Sequence, residues 1–147
     1  MKKHILSIFL SFGTFLHSWE ENAFPYASLN VGTVTPNAIP AIGLGIGYRH
    51  IFGLSALDIN GNVLYPFDKE TKPFGCPMVQ GAYLIYFEKW NGPYLGAGGV
   101  LMFSLDQEIM GNVVVMGGYQ TRSGRPKFIQ VECSPFMRIG ITAGLAL

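Results

Sequence analysis

The stretch Ala41-Ile42-Gly43-Leu44-Gly45-Ile46-Gly47-Tyr48-Arg49 decides the fold. Successive side chains of a strand point to opposite faces. Ile42, Leu44, Ile46 and Tyr48 therefore share one face, and Gly43, Gly45, Gly47 and Arg49 share the other. A helix would scatter both sets around its axis, and each interior glycine would weaken it by roughly 0.5–1 kcal/mol relative to alanine.

The same period of two extends in both directions. Towards the N-terminus, Tyr26 to Val34 sets Ala27, Leu29 and Val31 against Ser28, Asn30 and Gly32. Towards the C-terminus, Leu54 to Tyr65 sets Leu57, Ile59, Val63 and Tyr65 against Asp58, Asn60, Asn62 and Leu64. Further strands are predicted over Val79–Glu88, Tyr94–Ser104, Met110–Gln120, Lys127–Cys133 and Met137–Leu147. The sixth is the least regular, because Val113-Val114-Val115 is apolar on both faces. About eight strands separated by glycine, proline, asparagine and charge clusters are an all-β pattern.

Composition says what surrounds the sheet. Hydrophobic residues make up 49% of the chain and charged residues 13%, against roughly a quarter charged in an average soluble domain. Beyond the first twenty or so residues no apolar run reaches the ~18 that a membrane-crossing helix needs. An apolar average without an apolar block is expected of a membrane barrel, where lipid-facing and lumen-facing residues alternate. Spacings of about nine to eleven residues match what a tilted strand needs to cross the hydrocarbon. A soluble sandwich or lipocalin-like barrel is the alternative, but it needs charges outside, and the second face offers mainly Gly, Ser, Asn and Gln.

Met1 to about Ser18 reads as a secretory signal peptide, with Lys2, Lys3 and His4 ahead of the apolar run Ile5–Leu16. An uncleaved anchor helix is the other reading. The expected organisation is thus a leader over residues 1–18 and one outer-membrane β-barrel domain over 19–147. The formal charge is +1 for the whole chain. Without Lys2 and Lys3 it becomes eight cations against nine carboxylates, or −1. Such a chain lacks the basic footprint that phosphate backbones require, so nucleic acid is not an expected partner.

Gly92-Pro93-Tyr94-Leu95-Gly96-Ala97-Gly98-Gly99 and the C-terminal Arg138-Ile139-Gly140-Ile141-Thr142-Ala143-Gly144-Leu145-Ala146-Leu147 carry a family resemblance. The chain resembles the small eight-stranded outer-membrane barrels typified by the OmpA transmembrane domain and OmpX. The resemblance implies an antiparallel up-and-down transmembrane barrel with both termini in the periplasm. Outer-membrane lipid is its surroundings, and barrel-insertion machinery reads the last strand. That strand usually ends in an aromatic residue; here it ends in Leu147. The family includes anchors, adhesins and small pores, so the fold does not fix an activity.

Asp58, Glu132 and Arg138 fall on the face away from lipid, where a charge needs a polar lumen and a partner. Glu132 and Arg138 flank a tight connection, which makes them expected partners in a structural plug, a pore lining or a proton path. Cys76 and Cys133 are the only cysteines; an oxidising compartment would allow them to pair or to cross-link molecules. Neither has the neighbours of a metal site, and no cofactor is expected. The long connection Pro66–Pro77, with Asp68, Lys69, Glu70 and Lys72, is either a contact surface or a solvated loop. One histidine, His50, follows the leader; the second strand is expected to end at Arg49 with His50 in the turn beyond it, and a lipid hydrolase would have to pair it with Ser55. The reading is a non-enzymatic integral barrel with a structural or surface-interaction role, or a narrow pore. The alternatives are an exported soluble barrel holding an apolar ligand and a lipid-acting barrel enzyme.

Overall fold

The computed structural model describes residues 22–34, 38–67, 75–89, 91–103, 109–134 and 138–147. The leader therefore lies outside the described residues, as do Asp68, Lys69, Glu70 and Lys72 of the long connection. Eight strands run β1 Ala23–Val34, β2 Ile39–Phe52, β3 Ser55–Pro66, β4 Cys76–Tyr86, β5 Gly92–Phe103, β6 Ile109–Thr121, β7 Lys127–Ser134 and β8 Arg138–Ala146. Each pairs antiparallel with the next, and β1 pairs with β8 to close the barrel. There is no helix among the described residues. Closure leaves no strand with a free row of backbone donors and acceptors.

Two strand ends differ from the sequence-based expectation. His50 is not in a turn: β2 continues to Phe52, which pairs with Ser55 across the two-residue connection Gly53-Leu54. Gly53 has φ +65°, the glycine-first arrangement that suits a tight hairpin. Cys76 likewise belongs to β4, opposite Leu64, rather than to the long connection.

The alternation seen in β2 holds around the barrel, with the apolar set outside. Leu44, Ile46, Ile59 and Val113 are all about three-fifths exposed. Tyr65, Phe67 and Phe103 ring one end of this apolar surface, and Phe52, Tyr83, Phe87 and Tyr119 the other. The inward glycines of β2 make room for their neighbours. A Cβ on Gly43 would stand 2.6 Å from the Leu64 side chain, one on Gly45 1.8 Å from Asn62, and one on Gly47 2.3 Å from the Tyr26 ring. Three large residues thus fit against one strand because that strand has no side chains there.

The interior is not only glycine and amide, which corrects the expectation from sequence. The middle of β4, β5 and β6 turns Met78, Ala82, Leu84, Val100, Met102, Val114 and Met116 inward. Val114 is the inward member of the valine triplet, at 1% exposure, while Val113 and Val115 face out. The opposing wall, from β7, β8, β1 and β3, is polar: Ser28, Asn30, Asn60, Asn62, Glu132, Arg138 and Thr142 are buried there. An eight-stranded barrel is just wide enough for side chains to fill. Here one greasy wall packs against one polar wall.

Candidate functional site

The polar wall is organised around Arg49, which is fully buried. A buried guanidinium needs partners for its donors, and the closed barrel supplies them from four strands. Nε donates to Asp58 Oδ2 on β3 at 2.6 Å, and Nη2 forms an ion pair with the same oxygen. Nη1 donates to Gln120 Oε1 on β6 at 2.9 Å and to the Tyr86 hydroxyl on β4 at 3.4 Å. Nη2 also donates to Gln130 Oε1 on β7 at 3.2 Å. Three tyrosines complete the cluster: Tyr26 donates to Asp58 at 2.5 Å, Tyr86 to Gln120 at 2.7 Å and Tyr94 to Gln130 at 2.6 Å. The guanidinium carbon lies 4.0 Å from the Phe128 ring centre and 5.1 Å from that of Tyr94, within cation–π range.

A second centre adjoins the first. Gln130 Nε2 donates to Glu132 Oε1 at 2.6 Å, so one amide serves both charged clusters. Glu132 Oε2 pairs with Arg138 Nη2. The Thr142 hydroxyl lies 2.8 Å from Glu132 Oε1 and 2.5 Å from Asn30 Oδ1. Asn30 Nδ2 donates to Asn62 Oδ1 at 2.8 Å, and Asn62 Nδ2 to Asn60 Oδ1 at 2.5 Å. One connected network therefore reaches from Arg49, near the turn end, to Arg138 at the opposite end. It contains two guanidinium groups and two carboxylates, so the buried charge balances. Such pairs are weak contributors to stability, but losing one partner is costly.

Arg138 Nε and both polar atoms of the Gln80 amide are buried without a hydrogen-bond partner. A recess between Asn30, Ala41, Leu64 and Arg138 has room for about one water molecule.

Of the residues singled out by sequence, Asp58, Glu132 and Arg138 all lie in the lumen, but Asp58 is joined to Arg49 rather than to the other two. Cys76 and Cys133 are free thiols. The pairing that the sequence leaves open is not formed here, and the two side chains leave opposite faces of the sheet. Cys76 packs against the interior cluster from β4, whereas Cys133 shares the outward face of β7 with Ile129 and Val131. Their strands are three positions apart in the barrel order. Bridging requires Cα atoms within about 7 Å and converging Cβ directions.

His50 and Ser55 both face outward near the turn end, and no hydrogen bond joins them. Ser55 Oγ bonds instead to the Tyr83 hydroxyl at 2.7 Å, and the His50 ring lies 6.0 Å from Phe52. Among the described residues no carboxylate bonds to the imidazole as a hydrolytic serine–histidine pair needs. Among the described residues no group of three or more His, Cys, Asp or Glu side chains gathers as metal ligands would.

No protein-family model matches the chain, and no curated protein does. Solved structures do, among them two designed barrels. One, from "De novo design of transmembrane beta-barrels", has a TM-score of 0.53 at 12% identity, covering 84% of this chain and 95% of that one. The other, the solution NMR structure of de novo designed TMB2.3, has a TM-score of 0.51 at 9% identity, covering 85% and 93%. At such identities the likeness is one of fold: an eight-stranded antiparallel closed barrel similar to designed transmembrane barrels.

Proposed function

We propose that this chain is an integral barrel of a bacterial outer membrane, a non-conducting anchor with a structural or surface-interaction role and no catalytic activity. The observation that carries the reading is the inverted polarity of the sheet. Leu, Ile and Val side chains cover the outside, and two ion pairs and a set of amides are buried along one wall of the inside. That arrangement suits hydrocarbon around the barrel, with aromatic rings at both edges where headgroups begin. Strands of 8 to 14 residues bracket the roughly 9–11 needed to cross tilted. A soluble ligand carrier would need the reverse, an apolar cavity within and charges outside.

The filled lumen favours an anchor over a pore, and the bonding of Ser55 to the Tyr83 hydroxyl rather than to His50 disfavours a lipid hydrolase. In this reading export follows the leader, β8 is the strand that the insertion machinery reads, and the long connections face outward. Two measurements test it: detergent-dependent extraction from membranes, and a gel mobility that changes on heating as the barrel unfolds. Release of the folded chain by high salt alone would overturn the membrane assignment. Steady conductance across planar bilayers by the purified barrel would overturn the non-conducting one.

A further inference from the structure

We propose that the turn end of the barrel, over β4 to β7, is a docking surface for the anionic headgroups of membrane phospholipids. The inference rests on the membrane reading above and adds to it a lipid class and a place. At this end the outer face has a sharp edge. Phe87 N–H bonds to the Pro93 carbonyl at 3.0 Å, Pro93 pairs with Tyr119, and Tyr119 pairs with Ile129. These residues form one row across four strands, the last apolar row before the turns. Lys89 lies two residues beyond Phe87, and Lys127 two residues before Ile129 on the same outward face. Two residues of strand are about 7 Å, which places the Lys127 ammonium where phosphates meet the hydrocarbon edge, with Lys89 in the bend that follows the Phe87 end of the same row.

Arg122 and Arg125 lie on the β6–β7 turn between them. The two turns are held side by side, because Arg122 N–H donates to the Asn91 side chain at 3.1 Å. Lys89, Arg125 and Lys127 are exposed, and no ion pair involves them among the described residues. Among the described residues Glu88 is the one acidic side chain on this stretch of rim, beside the exposed cations Lys89, Arg125 and Lys127. The rest of the turn end is different. The β2–β3 connection presents Phe52, Gly53 and Leu54 and carries no formal charge. Among the described residues the positive charge of this end thus gathers in one sector, directly outside the row Phe87, Pro93, Tyr119 and Ile129.

A cation close to an anionic membrane surface contributes on the order of 1 kcal/mol, or about fivefold in binding per residue. The barrel already sits in the bilayer, so the charges select among neighbouring lipids rather than recruit the protein. Phosphatidylglycerol should therefore be enriched over phosphatidylcholine in the lipid shell.

The test uses the full chain, without its leader, folded into phosphatidylcholine vesicles containing a spin-labelled probe of either headgroup. The expected result is a several-fold selectivity for the phosphatidylglycerol probe, falling as salt rises from 50 to 500 mM. It should approach unity in the K89Q/R125Q/K127Q variant. Equal affinity for both probes in the wild-type barrel would overturn the proposal, and so would full selectivity in the triple variant. If the triple variant does not fold, K127Q alone and the wild-type salt series decide in the same way. Heat-dependent gel mobility in the same samples reports barrel insertion. A barrel that inserts without selectivity refutes the docking surface alone, while a chain that never inserts refutes the membrane reading beneath it.

Discussion

Replacing Arg49 by methionine tests the lumen network at its centre. The side chain is fully buried, so the loss falls on its partners. Gln120 Oε1 keeps the Tyr86 hydroxyl at 2.7 Å, and Gln130 Oε1 keeps that of Tyr94 at 2.6 Å. Asp58 fares worse. Its Oδ2 loses both the Nε bond and the ion pair, and only Tyr26 remains, on Oδ1. The cost is therefore concentrated on one carboxylate that is 2% exposed. Removing one partner of a buried pair costs about 3–5 kcal/mol, and that is the expected loss for R49M.

The double variant R49M/D58L removes the stranded charge as well. Buried pairs exchanged for apolar groups are often neutral. What remains is the Tyr26 hydroxyl without its acceptor, about 1–3 kcal/mol. The double variant should thus be more stable than R49M alone. The assay is urea unfolding of the barrel in lipid vesicles, followed by tryptophan fluorescence and gel mobility. Unchanged stability in R49M, or a double variant no better than the single, would refute the account of a dry, closed network.

Three further outcomes follow from the geometry. L101R puts a charge on the outward face of β5 at a residue 47% exposed there, and should cost about 2–4 kcal/mol in bilayers; an unchanged urea midpoint would mean the faces are misassigned. G98V should block closure, since a Cβ there would stand 1.9 Å from the Gly81 carbonyl oxygen. G81A, whose Cβ meets nothing within 4 Å, should fold as wild type, and equal folding yields of the two would refute the close approach. Finally, thiol titration of the denatured chain should find two free cysteines, with no change in gel mobility on reduction; a faster-migrating oxidised monomer would contradict the opposed orientations of Cys76 and Cys133.

Which side of each strand faces out was legible wherever alternation was regular, as in Ile42–Arg49 and Leu57–Tyr65. It failed where both sets were apolar. Nothing local to Val113-Val114-Val115 says which valine turns inward, and that depends on the register with β5 and β7. The apolar inner wall was missed for the same reason, because Leu84 and Met116 enter the lumen on either side of Gly96, which β5 contributes between them.

The partner of Asp58 was within reach of sequence reading. With the connection at Gly53-Leu54, Arg49 falls opposite Asp58 in the hairpin. Ending β2 at Arg49 and placing His50 in a turn hid the pairing. The contacts of Arg49 with Gln120 and Gln130, 71 and 81 residues away, are different in kind. They exist only once eight strands close with one particular stagger, which no local pattern encodes. Cys133 could be placed on the outward set, but Cys76 sat in a presumed loop, where side-chain direction has no period.

The two ion pairs divide evenly along the chain. Arg49 and Asp58 belong to the first four strands, and Glu132 and Arg138 to the last four. Each half of the polypeptide therefore carries its own neutralised couple, and neither leaves a net charge on its concave surface when the other is absent. Between the halves, inside the barrel, run the hydrogen bonds of Arg49 to Gln120 and Gln130, the Thr142–Asn30 contact and the greasy packing of β4 on β5. A chain severed at the β4–β5 turn would thus yield two electrostatically self-sufficient pieces able to find each other again, and the barrel is in this sense a dimer of hairpin pairs written as a single sequence.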